Sequence, residues 1–259
     1  MRIVIKIGTS TLTHRSGLLN IRRVEHLCKV FSDLKNAGHE LVIVSSGAIG
    51  VGVGKLSLKE KPADIPTKQA AAAVGQCELM YIYDKLFAEY NHTVAQILIT
   101  GEDIESPKRA KNFHNTIFRL LELGALPIIN ENDTIAVDEI VIGDNDTLGA
   151  IVASTIGADL LILLSDIDGL FTADPQRDPS AKLIPVVEAI TPEMEAAAQG
   201  AGSALGTGGM QTKLAAARIA TGAGVEMVIA NGTRPDALYD IVEGKPCGTR
   251  FLSKGEKQA

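Results

Sequence analysis

The sequence predicts an α/β fold, a three-layer α/β/α sandwich around a mostly parallel open sheet. Short runs rich in β-branched residues recur along the 259-residue chain and alternate with helical patterns, which is how a sheet wound with crossover helices reads. Composition agrees. Hydrophobic residues make up 46% of the chain, aromatics only 4%, and Trp is absent, so Ala, Ile, Leu and Val must pack the core, as they do in parallel-sheet proteins.

The expected strands span 2–7, 40–45, 94–100, 125–129, 159–164 and 225–230. The first helix starts at Asn20, a suitable N-cap, and continues through Ile21, Val24, Leu27, Phe31 and Leu34 at spacings of three and four. Gly38 stops it. A long helix near 66–90 could pack in an interface or in the core. After about residue 170 the stretch GLFTADPQRDPSAKLIP is turn-rich and more polar. The chain is therefore read as one domain, 1–259, with lobes over 1–165 and 166–259.

Charge and cysteine usage exclude several function classes. Net charge is −6 and the basic residues are scattered, apart from Lys55, Lys59 and Lys61, so nucleic acid is not an expected partner. Cys28, Cys77 and Cys247 are far apart and form no CxxC pair, which argues against a disulfide framework or a zinc site. The opening MRIVIKIGTS enters a strand directly, and no apolar run nears the ~18 residues of a membrane span. A cytoplasmic protein with no membrane contact is expected.

In an open α/β sheet, ligands bind beyond the carboxyl ends of the strands. Every strand exit here is polar or glycine-rich. At the first, Lys6 precedes Gly8, Thr9, Ser10 and Thr11; the turn could bring backbone N–H groups to a phosphate, or the lysine could simply end a strand before an ordinary turn. The second, SSGAIGVGVGK, fails the P-loop pattern because Ile49 stands where Gly is needed and Leu56 where Ser or Thr is needed. Ser45, Ser46, Gly47 and Ala48 remain as a strand-to-helix junction, suited to an anion or to a plain helix cap.

Two acidic clusters, NEND at 130–133 and GDND at 143–146, are near-copies in sequence. A calcium loop does not fit them, since Leu148 falls where a third ligand belongs. Two turns with Asx caps would also explain the spacing. Farther on, GAGSALGTGGMQTK at 200–213 sets Lys213 in the first turn of an Ala-rich helix. Lysine there is electrostatically unfavourable unless an anion is present, so a phosphate is expected beside it, with a flexible linker as the plainer reading. Asp166, at the end of the 159–164 run, could face a nucleotide or cap a turn.

In order and spacing these segments resemble the amino acid kinase family. The resemblance rests on KIGTSTLT (6–13), VSSGAI (44–49), KQAAAAVGQ (68–76), PIINENDT (127–134), GDNDTL (143–148), LLSDIDGLFTADP (163–175) and GTGGMQTK (206–213). It implies ATP- and Mg²⁺-dependent phosphorylation of the side-chain carboxylate of L-glutamate, the first step of proline biosynthesis. Lys6, Asp146 and Lys213 take the catalytic roles, Lys6 and Lys213 on the phosphates and Asp146 organising both lysines. Ser46, Gly47, Asp133, Asp144 and Asn145 are implied to bind the amino acid. Ser165, Asp166, Thr207, Gly208, Gly209, Met210, Gln211, Thr212 and Lys213 are implied to bind nucleotide.

No protein ligand to the metal is expected, Mg²⁺ being held by the ATP phosphates. The resemblance further implies feedback inhibition by proline near the glutamate pocket, with 50–68 as a candidate lid. A homo-oligomer, dimer or tetramer, and a functional link to glutamyl phosphate reductase are also implied. Two substitutions depart from the family pattern: Ser165 stands for a usual threonine, and Gly149 for a usual serine, where it is expected to loosen the start of its helix. Many members carry a C-terminal PUA domain, which a chain ending at Ala259 is expected to lack.

Overall fold

A computed structural model of the chain describes residues 1–14, 16–60, 62–135, 144–175, 177–198 and 209–253. Strand β1 (Arg2–Ile7) leads into the single turn α1 (Thr9–Leu12) and then α2 (Ile21–Asn36). Next come β2 (Glu40–Ser45), α3 (Ala48–Lys55), α4 (Ile65–Ala88), β3 (Val94–Ile99), α5 (Gly101–Glu105), α6 (Pro107–Glu122), β4 (Leu126–Glu131), α7 (Asn145–Thr155) and β5 (Leu160–Ser165). The remainder holds β6 (Val186–Val187), α8 (Pro192–Ala198), α9 (Met210–Gly222), β7 (Glu226–Asn231), α10 (Ala237–Val242) and β8 (Thr249–Phe251).

Among the described residues these eight strands form one sheet in the order β3-β4-β2-β1-β5-β7-β8-β6. Every pairing is parallel except β7 with β8. Strand alternation splits the core in two. Ile3, Ile5 and Ile7 join Leu41, Ile43, Leu160 and Ile162 under α2, α4 and α10. Val4 joins Val42, Val44, Leu161 and Leu163 under α6, α7 and α9. Two apolar faces, each roofed by helices, make the expected sandwich.

Helix α2 begins as its sequence dictates, with the Asn20 side chain accepting from the Arg23 backbone N–H. It ends before Gly38, whose φ of +92° suits glycine. The glycines after β2 have a different role from the one a phosphate loop would give them. They lie in α3, where a Cβ on Gly52 would fall 1.8 Å from the carbonyl oxygen of Ala71 in α4. Without side chains there, the two helix backbones touch. Residues 50–55 of the expected lid are therefore part of a helix packed on α4. Helix α4 itself buries Ala72, Leu79, Tyr83 and Phe87 in the core while Tyr81 stays exposed.

Topology fixes where a site can form. From β1 the chain moves to β2 on one side, and later arrives at β5 on the other. The carboxyl ends of β1, β2 and β5 thus border the place where the winding reverses, the usual ligand crevice of such sheets. Helix α7, which joins β4 to β5, begins beside that crevice.

Candidate active site

Lys6 is the fifth residue of β1, a strand whose alternate positions face opposite ways, so its side chain shares the Val4 face and meets α7. Its Nζ lies 2.6 Å from Oδ1 of Asp146, while Nζ of Lys213, from α9, lies 3.0 Å from Oδ2. All three are buried, at 8%, 1% and 4% exposure for Lys6, Asp146 and Lys213. Burial alone would raise the Asp146 carboxyl, but the ammoniums of Lys6 and Lys213 outweigh it and hold it below the usual carboxylate range. Thr212 adds a hydroxyl donated to Oδ2 at 3.2 Å. The anion expected near Lys213 is supplied in part by this carboxylate. Two ammoniums on one carboxylate leave the trio with a net positive charge, out of water, which favours a further anion.

Asp144 caps α7. Its Oδ1 accepts from the backbone N–H groups of Asp146 and Thr147, and its Oδ2 from the Thr147 hydroxyl. Both oxygens are thereby occupied, and the helix start is firmly capped despite Gly149. A Cβ at 149 would sit 3.4 Å from Cβ of Lys6, an ordinary contact, so a serine would pack against the lysine stem.

A second group of side chains joins β2, β4 and α7. Asn145 donates from Nδ2 to Oγ of Ser46 at 2.8 Å and to Oδ1 of Asn130 at 3.1 Å. Asn130 donates to Oε1 of Gln76 at 2.9 Å. Oδ1 of Asn145 is buried and has no partner among the described residues. Gly47, with φ +98°, turns the chain from Ser46 into α3. Gln76 and Asn130 are additions to the residues expected from sequence. Asn130 belongs to the NEND cluster but carries no mark of its own, and Gln76 betrays itself only as an amide on the apolar face of α4.

The remaining carboxylates crowd beside this group. Burial, reinforced by the Asp133 and Asp144 charges, pushes the Glu131 carboxyl up to about 7. Burial likewise pushes Asp133 up to about 6. A cationic ligand would relieve both. Among the described residues no three His, Cys, Asp or Glu side chains come together as a group able to hold a metal.

The nucleotide residues expected from sequence divide. Thr212 and Lys213 reach Asp146, and Gly209 caps α9 without a side-chain bond. Met210 packs on the core and Gln211 is exposed. Ser165 ends β5 and donates to Oδ1 of Asp166 at 3.1 Å. Thr207 and Gly208 lie outside the described residues.

Comparison with known proteins decides the family. The model of the amino acid kinase family matches residues 1–231. This chain belongs to the amino acid kinase family. Its site residues therefore sit on a shared frame: the carbamate kinase of Giardia lamblia bound to AMP-PNP is 20% identical, superposes with a TM-score of 0.68 and is covered over 98% of both chains. The UMP kinase of Bacillus anthracis is 17% identical with a TM-score of 0.66, over 98% of this chain and 96% of that one. Likeness at that level speaks for the fold of an amino acid kinase alone.

Nearer relatives within the family share one name. A protein of Clostridium perfringens named glutamate 5-kinase is 54% identical over 98% of this chain and 96% of its own length. One of Clostridium acetobutylicum with the same name is 56% identical over the same shares. Another, from Moorella thermoacetica, is 52% identical, and the match covers 67% of its length.

Proposed function

We propose that this amino acid kinase transfers the γ-phosphoryl group of ATP to the side-chain carboxylate of L-glutamate, giving glutamyl 5-phosphate and ADP. The observation that carries it is the 54% identity to a glutamate 5-kinase over 98% of this chain, a span that includes both side-chain groups of the site.

The geometry suits that reaction. A glutamate carboxylate is ionised at neutral pH, so no general base is needed. One of its oxygens attacks the γ-phosphorus as the bond to the β,γ-bridging oxygen breaks and ADP leaves. Negative charge accumulates on the phosphoryl oxygens, where Lys6 and Lys213, pre-set by Asp146, stabilise it. Ser46, Asn145 and Asp133 hold the amino acid end, and Asp144 contributes through the cap it makes on α7. Mg²⁺, held by the ATP phosphates rather than by protein ligands, would supply further positive charge there.

The lobe over 166–259 takes the nucleotide, with Ser165 and Asp166 at its border, and the lobe over 1–165 takes glutamate. Proline inhibits by competing for the same pocket. The enzyme works in the cytoplasm as a dimer or tetramer and passes its unstable product to glutamyl phosphate reductase.

The test is ATP turnover with glutamate in the presence of hydroxylamine, which traps an acyl phosphate as a hydroxamate. Product with glutamate, and none with aspartate, acetylglutamate or carbamate, supports the assignment. Hydroxamate formation on another acceptor alone overturns it.

A further inference from the structure

Hydrogen-bond polarity in the substrate pocket can be assigned from one unambiguous donor. The backbone N–H of Glu131 donates to Oδ1 of Asn130 at 2.9 Å, and a backbone N–H cannot accept. Oδ1 is therefore the carbonyl oxygen, and the other arm of Asn130 is its amide nitrogen. That nitrogen lies 2.9 Å from Oε1 of Gln76, so Gln76 is the acceptor there. The same Asn130 oxygen faces Asn145 at 3.1 Å, which obliges Asn145 to present its nitrogen on that side. Its carbonyl oxygen is left buried and unpartnered among the described residues. The Asn145 nitrogen also points at Oγ of Ser46, so the Ser46 hydroxyl accepts there and keeps its own proton to donate.

The end product is a pair of matched edges, a bare acceptor on Asn145 and a donor on Ser46. A primary ammonium and a carboxylate are their complements. Gln76 is held rigidly enough to set this pattern. Its neighbour Gly75 lies against the Ala48 backbone at the start of α3, two residues beyond Ser46. Gln76 itself is 8% exposed and Asn130 is 1% exposed, so water cannot readily replace the Gln76 carbonyl as acceptor.

We infer that Gln76 is a positioning residue which, through Asn130, fixes the acceptor edge of Asn145 toward the substrate and thereby makes the pocket select for an α-ammonium group. Without that acceptor, the Asn130 amide keeps its oxygen toward the Glu131 N–H but is left with a buried, unpaired N–H, and it gains by shifting toward another acceptor or water. Such a shift would draw the Asn130 oxygen away from Asn145, and the Asn145 amide would no longer be held with its own oxygen toward the substrate. Gln76 touches no reacting atom in this scheme.

The inference rests on the proposed acceptor being glutamate, and its test separates the two. The purified enzyme is assayed with glutamate and with glutarate, the same diacid without its amino group, in the original sequence and in Gln76→Leu and Gln76→Glu. Gln76→Leu should lower the ratio of kcat/KM for glutamate over glutarate by about tenfold or more, mainly by raising KM for glutamate. KM for ATP should move by less than about twofold. Gln76→Glu, which keeps an acceptor for Asn130, should retain most of the preference.

Should Gln76→Leu not fold, Gln76→Met, unbranched and of similar length, carries the same expectation. An unchanged ratio in a folded Leu or Met variant overturns the role of Gln76 while the function stands. No turnover of glutamate by the original enzyme overturns the function, and this inference falls with it.

Discussion

Gly75 lies so close to the carbonyl oxygen of Ala48 that a Cβ added to it would fall 1.8 Å from that oxygen. Helices α3 and α4 are joined at this point by backbone alone. Gly75→Ala should destabilise the protein by about 2 kcal/mol, since the helices must part and the packing on both sides is disturbed. It should also raise KM for glutamate, because α4 carries Gln76. Urea unfolding and steady-state kinetics measure the two effects, and an unaltered midpoint would refute the contact.

Removing the shared carboxylate takes from two buried cations the anion that lies between them. Asp146→Asn should destabilise the ligand-free protein by about 3 kcal/mol and abolish most turnover. Chemical denaturation checks the first and the hydroxamate assay the second. A variant as stable as the original would mean that the Lys6 and Lys213 ammoniums are not held by Asp146 in solution.

Charge on α9 should matter to the chemical step more than to folding. Lys213→Ala is expected to lower turnover at least ~100-fold through lost stabilisation of the transferring phosphoryl group. Far-ultraviolet circular dichroism should be unchanged. Near-normal turnover in a folded variant would remove Lys213 from the mechanism.

Acidity gives an independent handle. Glu131 and Asp133 have carboxyls raised to about 7 and about 6, so the folded state holds these protons more tightly than the unfolded chain. Their contribution to stability is complete below the ordinary carboxylate range and is lost as pH rises through about 7. Asp146 has the opposite sign: its contribution is present above the ordinary carboxylate value and disappears as pH falls through its depressed one. The ligand-free melting temperature should therefore decline between about pH 5 and pH 7.5, and Glu131→Gln should flatten that decline. KM for glutamate should rise as pH falls below about 6, by up to ~tenfold per unit, as Asp133 takes up a proton and ceases to attract the ammonium.

Much of the frame was legible in the sequence because its causes are local. Helix α2 shows its cap, its spacing of three and four, and its terminating glycine within a single stretch, and β1, β2 and β5 are rich in β-branched residues or leucine. Lys6 and Lys213 stood out for local reasons as well, one at a strand exit and one in an unfavourable helix turn. What was not legible depends on distant partners. The glycines of α3 are explained by Ala71 in another helix, and Gln76 by an asparagine 54 residues away. Strand β8, three residues held antiparallel on β7, has too short a pattern to announce itself.

Lys6 owes its place to parity. Deleting one residue among Ile3, Val4 and Ile5 would carry its ammonium across the sheet, into hydrocarbon that includes Leu27, Phe31 and Leu79. Deleting two would keep the side and lose only reach. The strand therefore acts as a binary switch on chain length, and frame-preserving changes of a single codon inside it should be more damaging than most substitutions of the same residues.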